Sequence, residues 1–128
     1  MHYYFSKSRD ASFDQAIARV TEELKKGGLG ILTEIDVRET MKVKLNVDFR
    51  KYRILGACNP PFACEALQTE DKIGLMMPCN DTVQETSDGR IEVAAIDPLE
   101  SMSAVANPKL RSVAREVRAR LEAVIDNL

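Results

Sequence analysis

Leu110, Ala114, Val117, Leu121, Val124 and Leu128 recur at intervals of 4, 3, 4, 3 and 4 residues, an unbroken apolar stripe along one helix. Asn107-Pro108 opens that helix: asparagine caps well, and proline suits the first helical position, where its missing N–H would be unpaired anyway. Arg111, Arg115, Arg118, Arg120 and Glu122 occupy the other faces. A stripe of this length has to lie against another apolar surface. At 128 residues, 45% hydrophobic and 30% charged, the chain is long enough to supply that surface from a core of its own.

Upstream, strand and helix patterns alternate. His2 to Ser6 reads as a short strand. Ser12 stands three residues before Gln15, the capping-box spacing, and Phe13, Ile17, Val20 and Leu24 follow at helical intervals until Gly27-Gly28, predicting a helix over 13–26. Leu29 to Ile35 is nearly uniformly apolar, the pattern of a strand covered on both faces. Asp36 then caps a second helix through Val37, Met41 and Leu45. Tyr52 to Ala57 is a third strand, and Asn59-Pro60 starts a third helix running over Phe62 to Gln68. Ile73 to Met77 fits either a brief strand or a single helical turn.

Thr82 to Thr86 and Arg90 to Ile96 flank Ser87-Asp88-Gly89, where Asp-Gly supplies the positive φ angles of a tight hairpin. The simplest register sets Glu85 against Glu92, so either both face water or the hairpin contains a bulge. Asp97-Pro98 ends the sheet. The order β-α-β-α-β-α-β-β-α predicts one α/β (α+β) domain over residues 1–128, with helices packed on a mixed sheet of about five strands.

The charge balance, 18 basic against 20 acidic side chains, demands no basic face, so no nucleic-acid partner is expected. The longest apolar run, Ile73 to Met77, stops at Pro78, far short of the roughly 18 residues of a membrane span. The first residues lack the order of a secretory signal, and Cys58, Cys64 and Cys79 make an odd number. Together these features point to free thiols in the cytoplasm. Gly27-Gly28-Leu29-Gly30 follows a helix instead of a strand and reads as a helix stop, not a nucleotide cradle. No cofactor is expected.

Two apolar segments end in the same dipeptide, Cys58-Asn59 and Cys79-Asn80. A parallel strand over 73–77 or an antiparallel strand starting at Cys79 would each bring both thiols to one rim; only a parallel strand starting at Cys79 separates them. Cys58 precedes a helix amino terminus, whose dipole lowers a thiol's pKa and attracts anions. The plain alternative treats the thiols as small hydrophobes, Asn59 as a cap and Gly56 as backbone room. Capping and turn formation equally account for Asp36 and Asp97. Cys58, Cys79 and His2 fall short of four zinc ligands unless a partner chain adds more. His2, the single histidine, sits in no motif, which leaves a cysteine nucleophile without a base.

Ile31 to Val37, Ile54 to Pro60, Gly74 to Asn80 and Ile96-Asp97-Pro98, in this order and spacing, resemble the family catalogued as domain of unknown function 302. The resemblance runs over most of the chain. It implies a compact α/β domain of bacterial and archaeal proteins that pairs into dimers, with no established reaction. Gly56, Cys58, Asn59, Pro60, Pro78, Cys79, Asn80, Asp97 and Pro98 match its characteristic residues; Cys64 falls outside them.

The resulting expectation is a non-enzymatic homodimeric module whose last helix and sheet bury against a twin. A small or anionic ligand would sit among Gly56, Cys58, Asn59, Pro60, Pro78, Cys79, Asn80 and Asp97. The alternatives are a thiol-dependent redox or sulfur-handling protein using Cys58 and Cys79, and a metal-binding domain sharing Cys58, Cys79 and His2 across a dimer.

Overall fold

The chain runs through β1 (Tyr4–Arg9), α1 (Phe13–Lys26), β2 (Gly30–Asp36), α2 (Val37–Leu45), β3 (Tyr52–Cys58) and α3 (Pro60–Thr69). A 3-10 helix (Asp71–Met76), β4 (Cys79–Glu85), β5 (Ile91–Ile96), α4 (Pro98–Ser101) and α5 (Pro108–Asp126) complete it, in a computed structural model that describes residues 2–128. The sheet order is β1-β5-β4-β3-β2.

Local signals place the helices. Ser12 and Gln15 form the reciprocal capping box of α1, while Asn59 and Asn107 cap α3 and α5 with proline in the first turn. Asp36 and Asp97 cap α2 and α4. The stretch over 71–76 is a 3-10 helix, the helical of its two expected forms.

The sheet departs from expectation in three ways. All four pairings are antiparallel, where a mixed sheet was expected. The reason is topological: α1 carries the chain from one edge strand to the other, after which β2, β3, β4 and β5 are laid down as successive neighbours, each reversing the last. Second, β2 is an edge strand with Leu32 and Ile35 exposed, not a strand covered on both faces, and its register shifts between Ile31 and Thr33. Third, β1 starts at Tyr4 and extends to Arg9, because its partners in β5 run from Ile96 to Ile91; His2 and Tyr3 lie outside it.

The hairpin takes the bulged form. Glu85 pairs with Ile91 and Gln84 with Glu92, so the two glutamates are not opposed. Thr86 N–H donates to Arg90 O at 2.8 Å and Gly89 N–H to Thr86 O at 3.0 Å, with a positive φ of +81° at Gly89 alone.

Strand alternation divides the side chains cleanly. Leu55, Ala57, Val83, Ile91, Val93 and Ala95 point to one face and are buried beneath α1 and α5, whose Val20, Leu24 and Leu121 meet them. The apolar stripe of α5 is thus used inside the chain and is not free for a twin. A smaller cluster, Ala66, Ile73, Leu110 and Val113, seats α3 on α5. On the opposite face the register aligns Ile35, Ile54, Thr82, Ala94 and Ser6 in one row and Thr33, Gly56, Asn80, Ile96 and Tyr4 in the next. These are half-buried or exposed apart from Gly56.

Gly56 marks the tightest approach among the glycines. A Cβ there would lie 2.1 Å from Thr33 Oγ1 and 2.5 Å from Pro78 Cγ, well inside contact distance on both sides. Gly56→Ala should therefore cost about 1–3 kcal/mol through forced shifts of β2 and the Met77-Pro78 segment, measured by urea unfolding. Gly30→Ala, whose Cβ meets nothing within 4 Å, serves as the comparison.

Candidate functional site

Antiparallel pairing gathers the characteristic residues at one end of the sheet. Ala57 pairs with Cys79 and Gly56 with Asn80, while Asp97 N–H donates to Tyr3 O at 2.8 Å just beyond the last β1–β5 pair. The ends of β3 and β5 and the start of β4 therefore share a rim. Cys58 and Cys79 border one small cavity there.

Most polar groups at that rim already have partners. Asn59 Oδ1 accepts from Phe62 N–H at 3.1 Å, and its Nδ2 donates to Gly28 O at 3.0 Å. Arg120 Nη1 donates to Gly27 O at 2.8 Å, so the turn after α1 is held by both α3 and α5. Asp97 is buried; one oxygen accepts from Leu99 N–H and the other from Arg118 Nε at 3.0 Å. Asn59 and Asp97 are thereby committed to structure. His2 stands edge-on to Tyr4, and among the described residues no three His, Cys, Asp or Glu side chains are grouped to hold a metal.

The thiols are not activated. Burial raises the Cys58 pKa, where a lowering was expected beside the amino terminus of α3. Cys79 is pushed up to about 12 by burial first, then by the nearby charges of Asp81 and Cys58. Asp81 sits two residues beyond Cys79 on the same face, fully buried, with neither carboxylate oxygen hydrogen-bonded. Burial pushes its pKa up to about 8, so it is predominantly protonated at neutral pH. Sequence reasoning missed Asp81 by starting the strand at Thr82. The signal was its spacing from Val83, two residues on and equally buried.

Two cavities flank the rim. The first, about 40 Å³, lies on the helix side among Cys58, Asn59, Phe62, Cys79 and Val117. That is room for water at most. The second is a groove of about 610 Å³ across the open face, bordered by Tyr3, Tyr4, Tyr52, Met76, Pro78 and Asn80 among others. Of the expected ligand-binding residues, only Pro78 and Asn80 line this groove; Cys58, Asn59, Pro78 and Cys79 line the small cavity. Gly56, Pro60 and Asp97 line neither. The two asparagines thus serve opposite sides of the sheet.

The family described as Domain of unknown function DUF302 matches residues 5–128. The chain belongs to this family. A crystal structure of an uncharacterized conserved DUF302 protein from Bacillus stearothermophilus shares the fold, with a TM-score of 0.90 and 26% identity over 98% of each chain. No curated protein matches the chain. Within this DUF302 chain, Gly56, Asn59 and Asp97 have clear architectural uses, whereas the buried carboxyl of Asp81 has no partner to explain it.

Two outcomes follow for this site. The folded protein keeps a proton on Asp81 that the unfolded chain, with an ordinary value of 3.8, releases. The resulting contribution to stability is fully present below about pH 4 and is lost as pH rises through about 8. Asp81→Asn should therefore stabilise the protein by on the order of 3–5 kcal/mol at pH 8.5, with little difference at pH 4, in urea unfolding at both values. In the native protein at pH 7.5, a maleimide should modify exposed Cys64 long before Cys79, read by mass spectrometry of the labelled peptides.

Proposed function

We propose that this DUF302 protein is a non-enzymatic, homodimeric module that binds a small ligand in the groove on the open face of its sheet. The observation that carries this reading is the character of that face. A sheet face turned to water normally alternates to polar residues, yet this one presents Ile35, Ile54, Ala94, Ile96, Tyr4 and Tyr52. The groove of about 610 Å³ is within the size range of small-molecule sites, and its lining mixes aromatic rings with a few convergent polar groups. Asn80 and Pro78 belong to it, which keeps part of the expected ligand edge in use.

A second copy is the occupant that suits the rest of the face. Antiparallel sheets stack face to face at about 10 Å, and such stacking about a two-fold axis covers the Ile35–Ile54–Ala94 row in both copies at once. The groove then becomes a chamber shared between the twins. The thiol-dependent alternative is the less favoured reading, because burial raises the pKa of both rim thiols.

Light scattering at micromolar concentration tests the assembly. The wild type should run at twice the 14.3 kDa chain mass, and Ala94→Arg, at the centre of the face, should run as a folded monomer. A monomeric wild type would remove the dimer, and a dimeric Ala94→Arg variant would move it to another surface.

A further inference from the structure

Glu92 is the single Asp, Glu, Lys or Arg side chain among the residues lining the open-face groove. Its Oε1 accepts from Gln84 Nε2 at 3.3 Å, and no basic side chain pairs with it among the described residues. Gln84 in turn accepts from Arg50 Nε at 3.0 Å, which fixes the orientation of the amide. The guanidinium of Arg50 is itself stacked on Phe49 at 4.5 Å and Tyr52 at 5.3 Å. Arg50 is thus held by Gln84 and the two rings and is not itself part of the groove lining. That stacking occupies one face of the Tyr52 ring.

The remaining walls suit a particular body. Tyr3 and Tyr4 meet edge-to-face at 5.1 Å near one end, and Leu75 and Met76 of the 3-10 helix border the groove in exposed positions. Asn80 and Gln84 lie four residues apart on the same face of β4, so the floor between the Asn80 row and the Glu92 row is about 14 Å long. An elongated apolar body fits that floor. A carboxylate at one end, with aromatic rings along the walls and no lining cation, selects for positive charge and against negative charge.

We infer that the groove binds a small organic amine, its ammonium held by Glu92 and its apolar body laid along Tyr3, Tyr4 and Tyr52. This rests on the ligand-binding reading above and narrows it from a small or anionic ligand to a cationic one.

The chain offers its own reporter. It has no tryptophan, and its three tyrosines all line the groove, so intrinsic tyrosine emission responds to occupancy there. Hexylamine, hexanol and hexanoate, matched in length and differing in charge, should be titrated into the native protein at pH 7 and constant ionic strength, with calorimetry in parallel. Hexylamine should bind at least about tenfold tighter than hexanol, with hexanoate weakest, and Glu92→Gln should abolish that preference. Equal binding of all three, or a preference that survives Glu92→Gln, overturns the cation assignment and leaves the groove reading standing. Binding by none of them overturns both.

Discussion

The helices that bury apolar stripes all lie on one side of the sheet. That one-sidedness governs the molecule. It begins with α1, which spans from the β1 edge to the β2 edge across a single face, and α5 returns across the same face. Once these two helices cover Leu55, Val83 and Val93, strand alternation leaves Ile54, Thr82 and Ala94 without a helix of their own. The 3-10 helix only borders that second face, through Leu75 and Met76. A groove and an uncovered apolar row follow from this arrangement without any special motif to encode them.

This separates what the sequence made legible from what it concealed. Helix starts depend on residues within three positions of one another, so Ser12 with Gln15, Asn59 with Pro60 and Asn107 with Pro108 were readable. The meeting of Cys58 and Cys79 was readable too, because an antiparallel strand starting at Cys79 was among the arrangements that bring them together. The edge position of β2 was not. Its apolar run suggested cover on both faces, and only the order of strands leaves Leu32 exposed. The groove was equally hidden, since its lining comes from β1, β3, β4, β5 and the 3-10 helix, brought together by register instead of by local spacing.

The characteristic residues of the rim also look different once their partners are known. Asn59 joins the first turn of α3 to the carbonyl of Gly28, and Arg120 reaches the adjacent carbonyl from α5. Gly28, at a φ of +76°, adopts a left-handed conformation that strains any residue with a side chain, and a Cβ there would stand 2.8 Å from Arg120 Nη1. Gly56 does the same service for β2, β3 and Pro78. Residue types that read as a potential site of chemistry are thus accounted for by close packing where three chain segments meet. Cys58 stands beside the amino terminus of α3, and burial raises its pKa, because low surrounding polarity penalises the thiolate directly.

Among the described residues Asp81 is the buried carboxyl without such an account in its own contacts, and the account lies in the register of β4. Val83 is fully buried, and a strand's side chains alternate with a period of two, so whatever stands at position 81 shares the face of Val83. Slipping β4 by one residue would free Asp81, but it would also turn Val83 out and carry Asn80, Thr82 and Gln84 into the core. That exchanges one unpaired carboxyl for three polar side chains. Protonation further reduces the penalty of the native register, because a neutral carboxyl costs far less to bury than an ionised one. The buried acid and the polar groups that β4 adds to the groove are consequently two sides of the same constraint: the β4 residues that give the open face hydrogen-bonding groups are those whose alternation obliges Asp81 to point inward.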